Sequence, residues 1–372
     1  MGFALWQEYR DQFPVTKNLV YLNHAAVSPL CRPAAKAMRE LATDAEEWGS
    51  LHYDRWMACY EGLRAATARM ISCESSEVAI VKNTSEGIAT IALGLDWKAG
   101  DRIVAFHDEF PANQYPWQKL EARGVSIEWM RVDDPLEKIE AAARGAKLLA
   151  ISFVQFLSGY RADLAALGEI CARHGVFFFV DAIQGLGAYP LDVRAMKIHA
   201  LAADGHKWLL GPEGCGVLYI QKDMQDRVEP VEFGWTNVAS YADYGRRDLA
   251  LRTDAGRYEP GTLNTIGCFG LRAAFEFLNG VGVERIAEAV SARADEMARG
   301  AEAKGYELLA KRTRATESGI VSMRKEGTDV RLTHKLLRDR GFITAPRAGW
   351  LRVSPHFYIS PEDSAAFVSA LP

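Results

Sequence analysis

Two charged residues, Asp181 and Lys207, stand at or just after the ends of short apolar runs. Asp181 ends the run VFFFVD (176–181), and Lys207 follows the run HALAAD (199–204). If these runs are neighbouring parallel strands, both side chains open into one crevice, because open α/β sheets bind ligands outside the carboxyl ends of their strands. A carboxylate and an amine there suit pyridoxal 5'-phosphate (PLP): the carboxylate would keep the pyridine nitrogen protonated and the lysine would form a Schiff base. Taken singly, Asp181 could be a helix N-cap and Lys207 a surface lysine.

Seven apolar runs between residues 77 and 220 must position these side chains. Most of them alternate with amphipathic stretches of helical period, a pattern that predicts an α/β domain with a mostly parallel sheet. After about residue 255 long helices and a short mixed tail follow. We predict a large domain over 15–255 and a smaller C-terminal α/β domain over 256–372, with 1–14 packing on the smaller one. The seven runs are EVAIVKN (77–83), RIVAF (102–106), VSIEWM (125–130), KLLAISF (147–153), VFFFVD, HALAAD and CGVLYI (215–220).

Composition points to a small-molecule partner. The chain of 372 residues has 44 Lys and Arg against 48 Asp and Glu, a net charge of −4 that gives no strong field for nucleic acid or anionic lipid. Its 6 cysteines form no C-x-x-C pair, which predicts reduced thiols. Charged residues interrupt the N-terminal apolar stretch, and no long apolar run follows. We therefore expect a cytoplasmic protein without membrane, nucleic-acid or metal partners.

Several further segments occur in a familiar order around the two charged residues. FVDAIQGLG and DGHKWLLGPEGCGVLYI resemble the class-V aminotransferase family of fold-type I PLP enzymes, which includes cysteine desulfurases, kynureninase and isopenicillin N epimerase. The resemblance covers nearly the whole chain. It implies a PLP fold with a large domain built on a seven-stranded sheet, and an active homodimer. The other segments are YLNHAAVSP (21–29), KNTSEGIA (82–89), DEFPANQYPW (108–117), SFVQFLSGYRADL (152–164), YEPGTLNTIG (258–267) and LRVSPHFY (351–358).

The resemblance assigns the cofactor contacts. It makes Lys207 the Schiff-base lysine, Asp181 the partner of the pyridine nitrogen and Gln184 a donor to the phenolic oxygen. Thr84 and Ser85 open a predicted helix, whose N-terminus is a natural phosphate site, although Ser85 could be a simple N-cap. 

Four more residues complete the implied cofactor contacts. His206, next to the lysine, lies against the cofactor, and Phe110 occupies the position of a residue that stacks on the cofactor ring. Gln155 substitutes for a ring-holding asparagine that Phe156 replaces. Thr262 is similar to the family's threonine that reaches the phosphate of the neighbouring subunit, which implies a homodimer.

The resemblance also assigns a substrate pocket. Arg352 matches the arginine that binds a substrate α-carboxylate, a role suited to its planar guanidinium, although a surface ion pair is the alternative. Asn23, His24 and Ala25, in YLNHAA, are predicted to line the pocket of a small amino acid.

Three departures from the family pattern bear on the reaction. Phe110 stands where cysteine desulfurases have a histidine, so proton transfer falls mainly to Lys207, with His206 or His24 as helpers. The stretch GFITAPRAGWLR lacks the nucleophilic cysteine of a desulfurase, which argues against an enzyme-bound persulfide. Asp204 replaces a phosphate-contacting serine, and no role follows for it from the sequence.

These observations favour a class-V aminotransferase, with a PLP-dependent lyase or an epimerase of the isopenicillin N epimerase type as alternatives. A NAD-dependent oxidoreductase is disfavoured, because the glycine-rich GPEGCG (211–216) precedes a strand instead of joining a strand to a helix. A binding module that has lost catalysis is disfavoured by the retention of Lys207, Asp181, Gln184 and Arg352.

Overall fold

The computed structural model describes residues 4–372, in which a large sheet, a four-stranded sheet and a two-stranded sheet are connected mainly by helices. The strands are β1 (Val20–Tyr21), β2 (Val78–Val81), β3 (Arg102–Phe106), β4 (Ser126–Met130), β5 (Leu148–Ser152), β6 (Phe177–Asp181), β7 (Ala200–Asp204), β8 (Gly216–Ile220), β9 (Glu307–Leu308), β10 (Val321–Arg324), β11 (Phe342–Ile343), β12 (Ala345–Arg347) and β13 (Trp350–Val353). The helices are α1 (Leu5–Tyr9), α2 (Arg32–Trp48), α3 (Tyr53–Ile71), α4 (Thr84–Gly94), α5 (Tyr115–Gln118), α6 (Leu136–Ala143), α7 (Leu164–His174), α8 (Thr265–Val281), α9 (Val283–Ala303), α10 (Val330–Asp339) and α11 (Pro361–Ala370).

The large sheet confirms the predicted α/β architecture. Its order is β2-β8-β7-β6-β5-β3-β4, so each of the seven apolar runs forms one strand. β8 pairs antiparallel with both of its neighbours, and the pairs from β7 to β4 are parallel. Phe178 and Val180 point into one apolar core and Phe177 and Phe179 into the other. Burial on both faces explains why these strands have no polar alternation.

The register of the central strands brings their carboxyl ends level. Ser152 of β5 pairs with Asp181 of β6, and Asp181 pairs with Ala202 of β7. Helix α4 approaches β7 closely at Gly87, where an added Cβ would lie 2.6 Å from the Cβ of Ala202. The small side chains on both elements therefore allow the N-terminus of α4 to reach the edge where β6 and β7 end.

One of the stretches with helical period is broken into short segments. The sequence PANQYPWQKLEARG suggests a continuous helix, but the structure has a 3₁₀ turn over Pro111–Asn113, the single turn α5 and a second 3₁₀ segment over Lys119–Arg123. Pro111 and Pro116 supply no backbone N–H, so each is accommodated only at the start of a helical segment. Phe110 directly precedes the first of these segments, as its N-cap residue.

The N-terminal segment packs on the C-terminal part of the chain. Arg10 forms an ion pair with Asp363 at 2.5 Å, and the ring of Phe13 stacks on that of Tyr358 with centroids 3.7 Å apart. Strand β1 pairs with β11. Arg10 and Phe13 lie within the segment 1–14, whereas β1 lies beyond it, and residues 1–3 lie outside the described part. The boundary near residue 255 remains a proposal.

Helices α8 and α9 are relevant to whether a helix of this chain could span a membrane. Along residues 4–372, no single helix has both the length and the apolar character needed to cross a membrane. Only α8 and α9 taken together meet that criterion, by length and composition alone, and the pair is bent by 85°.

Candidate active site

A cavity of about 330 Å³ lies at the carboxyl ends of β6 and β7. It brings together most of the residues predicted from the sequence, although they come from distant parts of the chain. The loop after β1, the start of α4, the loop before α5 and strand β13 all contribute to its wall. The predicted residues that line it are Ala25, Thr84, Ser85, Phe110, Asp181, Gln184, His206, Lys207 and Arg352.

Lys207 places its amine inside this cavity. Loss of water around the amine lowers the pKa of Lys207 to about 8, and the attraction of Asp181 only partly opposes this effect. Nζ lies 5.8 Å from the ring centroid of Phe110. A lysine with this pKa is partly neutral near pH 7, which suits a nucleophile and a proton acceptor.

Asp181 is the buried carboxylate of the site. Burial raises the pKa of Asp181 to about 6, while the N–H of Ile183, which donates to Oδ1 at 3.1 Å, favours the ionised form. Glu109, which the sequence did not single out, lies behind it and accepts a hydrogen bond from the N–H of Ser152 at 2.6 Å. Burial raises the pKa of Glu109 to about 7, with the charge of Asp181 adding to the shift. Asp181 therefore lines the cavity, and the carboxyl group of Glu109 lies close enough to Asp181 to be affected by its charge.

The opposite end of the cavity offers backbone donors. Asn83 caps α4, since its side chain accepts a hydrogen bond from the N–H of Glu86, so Ser85 is not needed as the cap. The hydroxyl of Thr84 accepts a hydrogen bond from the N–H of Asp204 at 2.9 Å, which ties α4 to the end of β7. Free N–H groups of a first helical turn bind phosphate well.

The carboxylate of Asp204 also faces this cavity. Its Oδ2 lies 3.0 Å from Nδ1 of His206, whereas Oδ1 is buried and has no hydrogen-bond partner among residues 4–372. The proximity of Asp204 to His206 was not predicted from the sequence, because it depends on the turn after β7.

Gln184 and the aromatic pair shape the middle of the cavity. Nε2 of Gln184 donates to the carbonyl of Ala25 at 2.9 Å, and Oε1 accepts from Nε1 of Trp208 at 3.0 Å. One amide hydrogen of Gln184 is left for a ligand. Phe110 and Phe156 form an edge-to-face pair, with centroids 5.4 Å apart. This wall is apolar and has no group that can donate a proton.

Arg352, on β13, closes the cavity on the side of the four-stranded sheet. The order of that sheet is β12-β13-β10-β9. It is 2% exposed, and Nη1 donates to the carbonyl of Phe156 at 2.6 Å. Its Nε is buried without a hydrogen-bond partner in the described part of the chain. Burial, with a smaller contribution from Arg347, lowers the pKa of Arg352 to about 9. A buried guanidinium without a carboxylate is suited to an anionic ligand.

The structure corrects the prediction for His24 and Asn23. His24 is 0% exposed, and its ring nitrogens contact the carbonyl of Ser354 at 2.7 Å and the hydroxyl of Tyr358 at 2.6 Å. Burial lowers its pKa well below the usual value, so it is neither a pocket residue nor a proton carrier there. Asn23 bridges to Ser354, outside the cavity wall. The contacts of His24 hold its ring against the C-terminal segment, and Ala25 is the residue of the three that lines the cavity.

Two other predicted residues lie outside this cavity. Oε1 of Gln155 accepts the N–H of Leu157 at 2.8 Å, and its amide donates to the carbonyl of Asp108, so the side chain holds its own loop. The prediction that Gln155 holds the cofactor ring is therefore corrected. Thr262 lines a separate cavity of about 260 Å³. Its predicted role in a neighbouring subunit stays a prediction, because it requires a second chain.

Comparison with known proteins gives the family. The model of the family described as Aminotransferase class-V matches residues 20–351. The chain belongs to this family of fold-type I, PLP-dependent enzymes. PLP is therefore the cofactor, and the site fits it: Lys207 and Asp181 share one cavity, the first turn of α4 supplies donors for its phosphate, and Gln184 keeps a free amide hydrogen.

Individual relatives carry two kinds of name. The chain is 30% identical, over 98% of its length and 96% of the relative's, to a "Probable cysteine desulfurase" of Pyrococcus abyssi. It is also 30% identical, over 96% of its length and 95% of the relative's, to the "Uncharacterized aminotransferase YcbU" of Bacillus subtilis. The structure of a cysteine desulfurase from Thermococcus onnurineus NA1 is similar with a TM-score of 0.90 and 27% identity, covering 98% of this chain and 96% of that one.

The lowered pKa of Lys207 predicts how cofactor-free protein captures PLP. Only the neutral amine attacks an aldehyde, so the second-order rate should rise about tenfold per pH unit up to about pH 8 and then level off. Stopped-flow absorbance with free PLP measures this rate. A matched reaction of Nα-acetyl-lysine should keep rising to about pH 10. An enzyme profile that follows the model amine would contradict the lowered pKa.

Proposed function

We propose that this enzyme cleaves the C–S bond of a cysteine-type amino acid by β-elimination, without using a cysteine of its own. The observation that carries the proposal is the cavity wall: it contains Lys207 as the base and no thiol. Cys31, Cys59, Cys171, Cys215 and Cys268 are buried elsewhere, and Cys73 lies outside this cavity. The relatives named cysteine desulfurase support sulfur chemistry, whereas the missing thiol argues against transfer of sulfur to the protein.

Several residues of the cavity wall have separate roles in the proposed elimination. PLP, when bound, supplies the electron sink that makes the α-proton of an amino acid acidic. Arg352 binds the α-carboxylate and orients the substrate, and the neutral amine of Lys207 accepts the proton from Cα. Asp181 keeps a positive charge at the ring nitrogen. Phe110 and Phe156 place apolar rings beside the leaving group.

The apolar wall favours sulfur as the leaving atom. When the Cβ–S bond breaks, the electron pair leaves with sulfur as a thiolate, whose conjugate acid has a pKa of about 8.5 and needs no proton donor. A hydroxyl or amine leaving group would need a general acid on this side, where the wall has phenyl rings. The net reaction consumes one water and yields pyruvate, ammonia and the thiol.

A product assay tests this function against its rivals. We expect PLP-loaded protein to release pyruvate, ammonia and thiol in equal amounts from S-methyl-L-cysteine, and pyruvate and ammonia from L-cystine. Alanine from L-cysteine would show desulfuration. A keto acid that retains its sulfur side chain, formed together with pyridoxamine phosphate, would show transamination, the reaction favoured by the sequence and by the name of the Bacillus relative. Inversion of Cα without cleavage would show epimerisation. Each of these three results would contradict the proposal.

We also propose that two copies form the active unit, with Thr262 of each serving the site of the other. The position of Thr262 outside the Lys207 cavity of its own chain supports this arrangement. The family resemblance supports it as well.

A further inference from the structure

A second arginine, Arg347, lies on the same face of the four-stranded sheet as Arg352. In the hairpin of β12 and β13, Ala345 pairs with Arg352 and Arg347 pairs with Trp350. Paired residues of antiparallel strands, and those two positions along, share a face, so Arg347 and Arg352 are diagonal neighbours roughly 7 to 8 Å apart. Both line the Lys207 cavity, Arg352 deeply buried and Arg347 exposed at its edge.

Neither of these arginines forms an ion pair with a carboxylate within residues 4–372. The guanidinium of Arg347 has one hydrogen bond there, to the carbonyl of its neighbour Pro346 at 3.0 Å. Arg324, on the adjoining strand β10, differs: it pairs with Glu307 at 2.8 Å and lies 4.3 Å from the ring centroid of Trp350. The guanidinium groups of Arg347 and Arg352 thus have no paired carboxylate among residues 4–372, while a nearby arginine of the same sheet has one.

The two unpaired charges affect each other. The charge of Arg347 adds to burial in lowering the pKa of Arg352, and it also lowers the pKa of Lys207. A ligand with one carboxylate would neutralise only one of the two guanidinium groups. A ligand with a second anionic group would relieve the remaining repulsion, because like charges close together disfavour each other.

We propose that Arg347 determines specificity by binding a second anionic group at the far end of the substrate side chain, while Arg352 binds the α-carboxylate. The substrate class, which rests on the proposed C–S cleavage, is a cysteine disulfide or thioether whose sulfur substituent ends in a carboxylate. The exposed position of Arg347 fits this role, since the far end of a bound side chain extends toward the cavity mouth.

Binding without turnover tests the role of Arg347 independently of the reaction. Calorimetry of PLP-loaded protein with succinate, glutarate and butyrate compares two anionic groups with one. At least one dicarboxylate should bind about tenfold more tightly than butyrate, and Arg347→Gln should remove that preference, whereas Arg324→Gln should retain it. An equal loss of affinity for both acid types in Arg347→Gln would mean that both arginines share one carboxylate. That result, or no change, would overturn the inference.

Turnover of a matched substrate pair separates the two proposals. S-carboxymethyl-L-cysteine and S-carbamoylmethyl-L-cysteine have the same size and differ in one charge. We expect a kcat/KM ratio of about ten in favour of the acid, falling to about one in Arg347→Gln, with the change mainly in KM. If neither compound is cleaved while the dicarboxylate preference still depends on Arg347, the elimination proposal fails and the anion site stands. Cleavage of both at equal rates by the unmodified protein would overturn the anion site alone.

Discussion

Replacement of Lys207 by alanine should lower turnover by roughly 10³-fold or more and should end covalent attachment of the cofactor. Lys207 is the residue whose amine lies inside the cavity, and its lowered pKa allows it to accept a proton near neutral pH. Arg352 and Asp181 would remain to bind substrate and cofactor. The defect should therefore fall on kcat much more than on substrate affinity.

Borohydride reduction followed by peptide mass analysis measures the attachment directly. In the unmodified protein the cofactor mass should be found on the peptide that contains residue 207, and in Lys207→Ala on none. Lys197→Ala is a matched control, because Lys197 forms a surface ion pair with Glu169 at 2.6 Å. Added methylamine should restore part of the activity of Lys207→Ala by replacing the missing base. Persistent attachment and full turnover in Lys207→Ala would refute the assignment.

The large sheet could be predicted from the sequence because its strands are buried on both faces. Runs such as VFFFVD and KLLAISF have no polar alternation, and this pattern together with the intervening helices is typical of a mostly parallel sheet. The position of Asp181 at the end of such a run then located the crevice. The break over 111–123 was missed, since helical spacing was given more weight than Pro111 and Pro116.

The site was predicted less completely, for reasons that lie in tertiary contacts. His24 occurs beside Ala25 in the sequence, yet the bridge between Asn23 and Ser354 buries His24 against Tyr358. Gln155 could equally serve a ligand or its own loop, and only the folded loop decides between them. Arg347 was missed because its nearness to Arg352 depends on the hairpin register. The run RAGWLR, with a glycine between two strand-like pieces, carried the available signal.

Replacement of Asp181 by asparagine should lower kcat/KM by at least about a hundredfold, because a buried ion pair that loses one partner costs about 3 to 5 kcal/mol. The neutral amide cannot hold a proton on the ring nitrogen, so the α-proton of the substrate stays weakly acidic. Activity measurements with PLP-loaded protein check this. Asp181→Ala loaded with N1-methylated PLP should recover part of the loss, because that ring is positively charged without a proton. No recovery with a bound analogue would indicate that Asp181 acts through the fold and not through the ring.

Asp181→Asn, although it impairs activity, should stabilise the cofactor-free protein. Burial raises the pKa of Asp181 from 3.8 to about 6, so its ionised form is less favourable in the folded than in the unfolded chain. Above about pH 6 this disfavours folding, and below about pH 4 the effect disappears because the carboxyl is protonated in both states. Asp181→Asn should therefore stabilise the cofactor-free protein at pH 8 by roughly 1 to 3 kcal/mol. Urea unfolding at pH 8 and pH 4 measures the difference in the free energy of unfolding.

With PLP bound, Asp181→Asn should instead destabilise the protein, because the ring nitrogen supplies the positive partner that the buried carboxylate lacks. Destabilisation in both states would show that the carboxylate is needed for the fold itself.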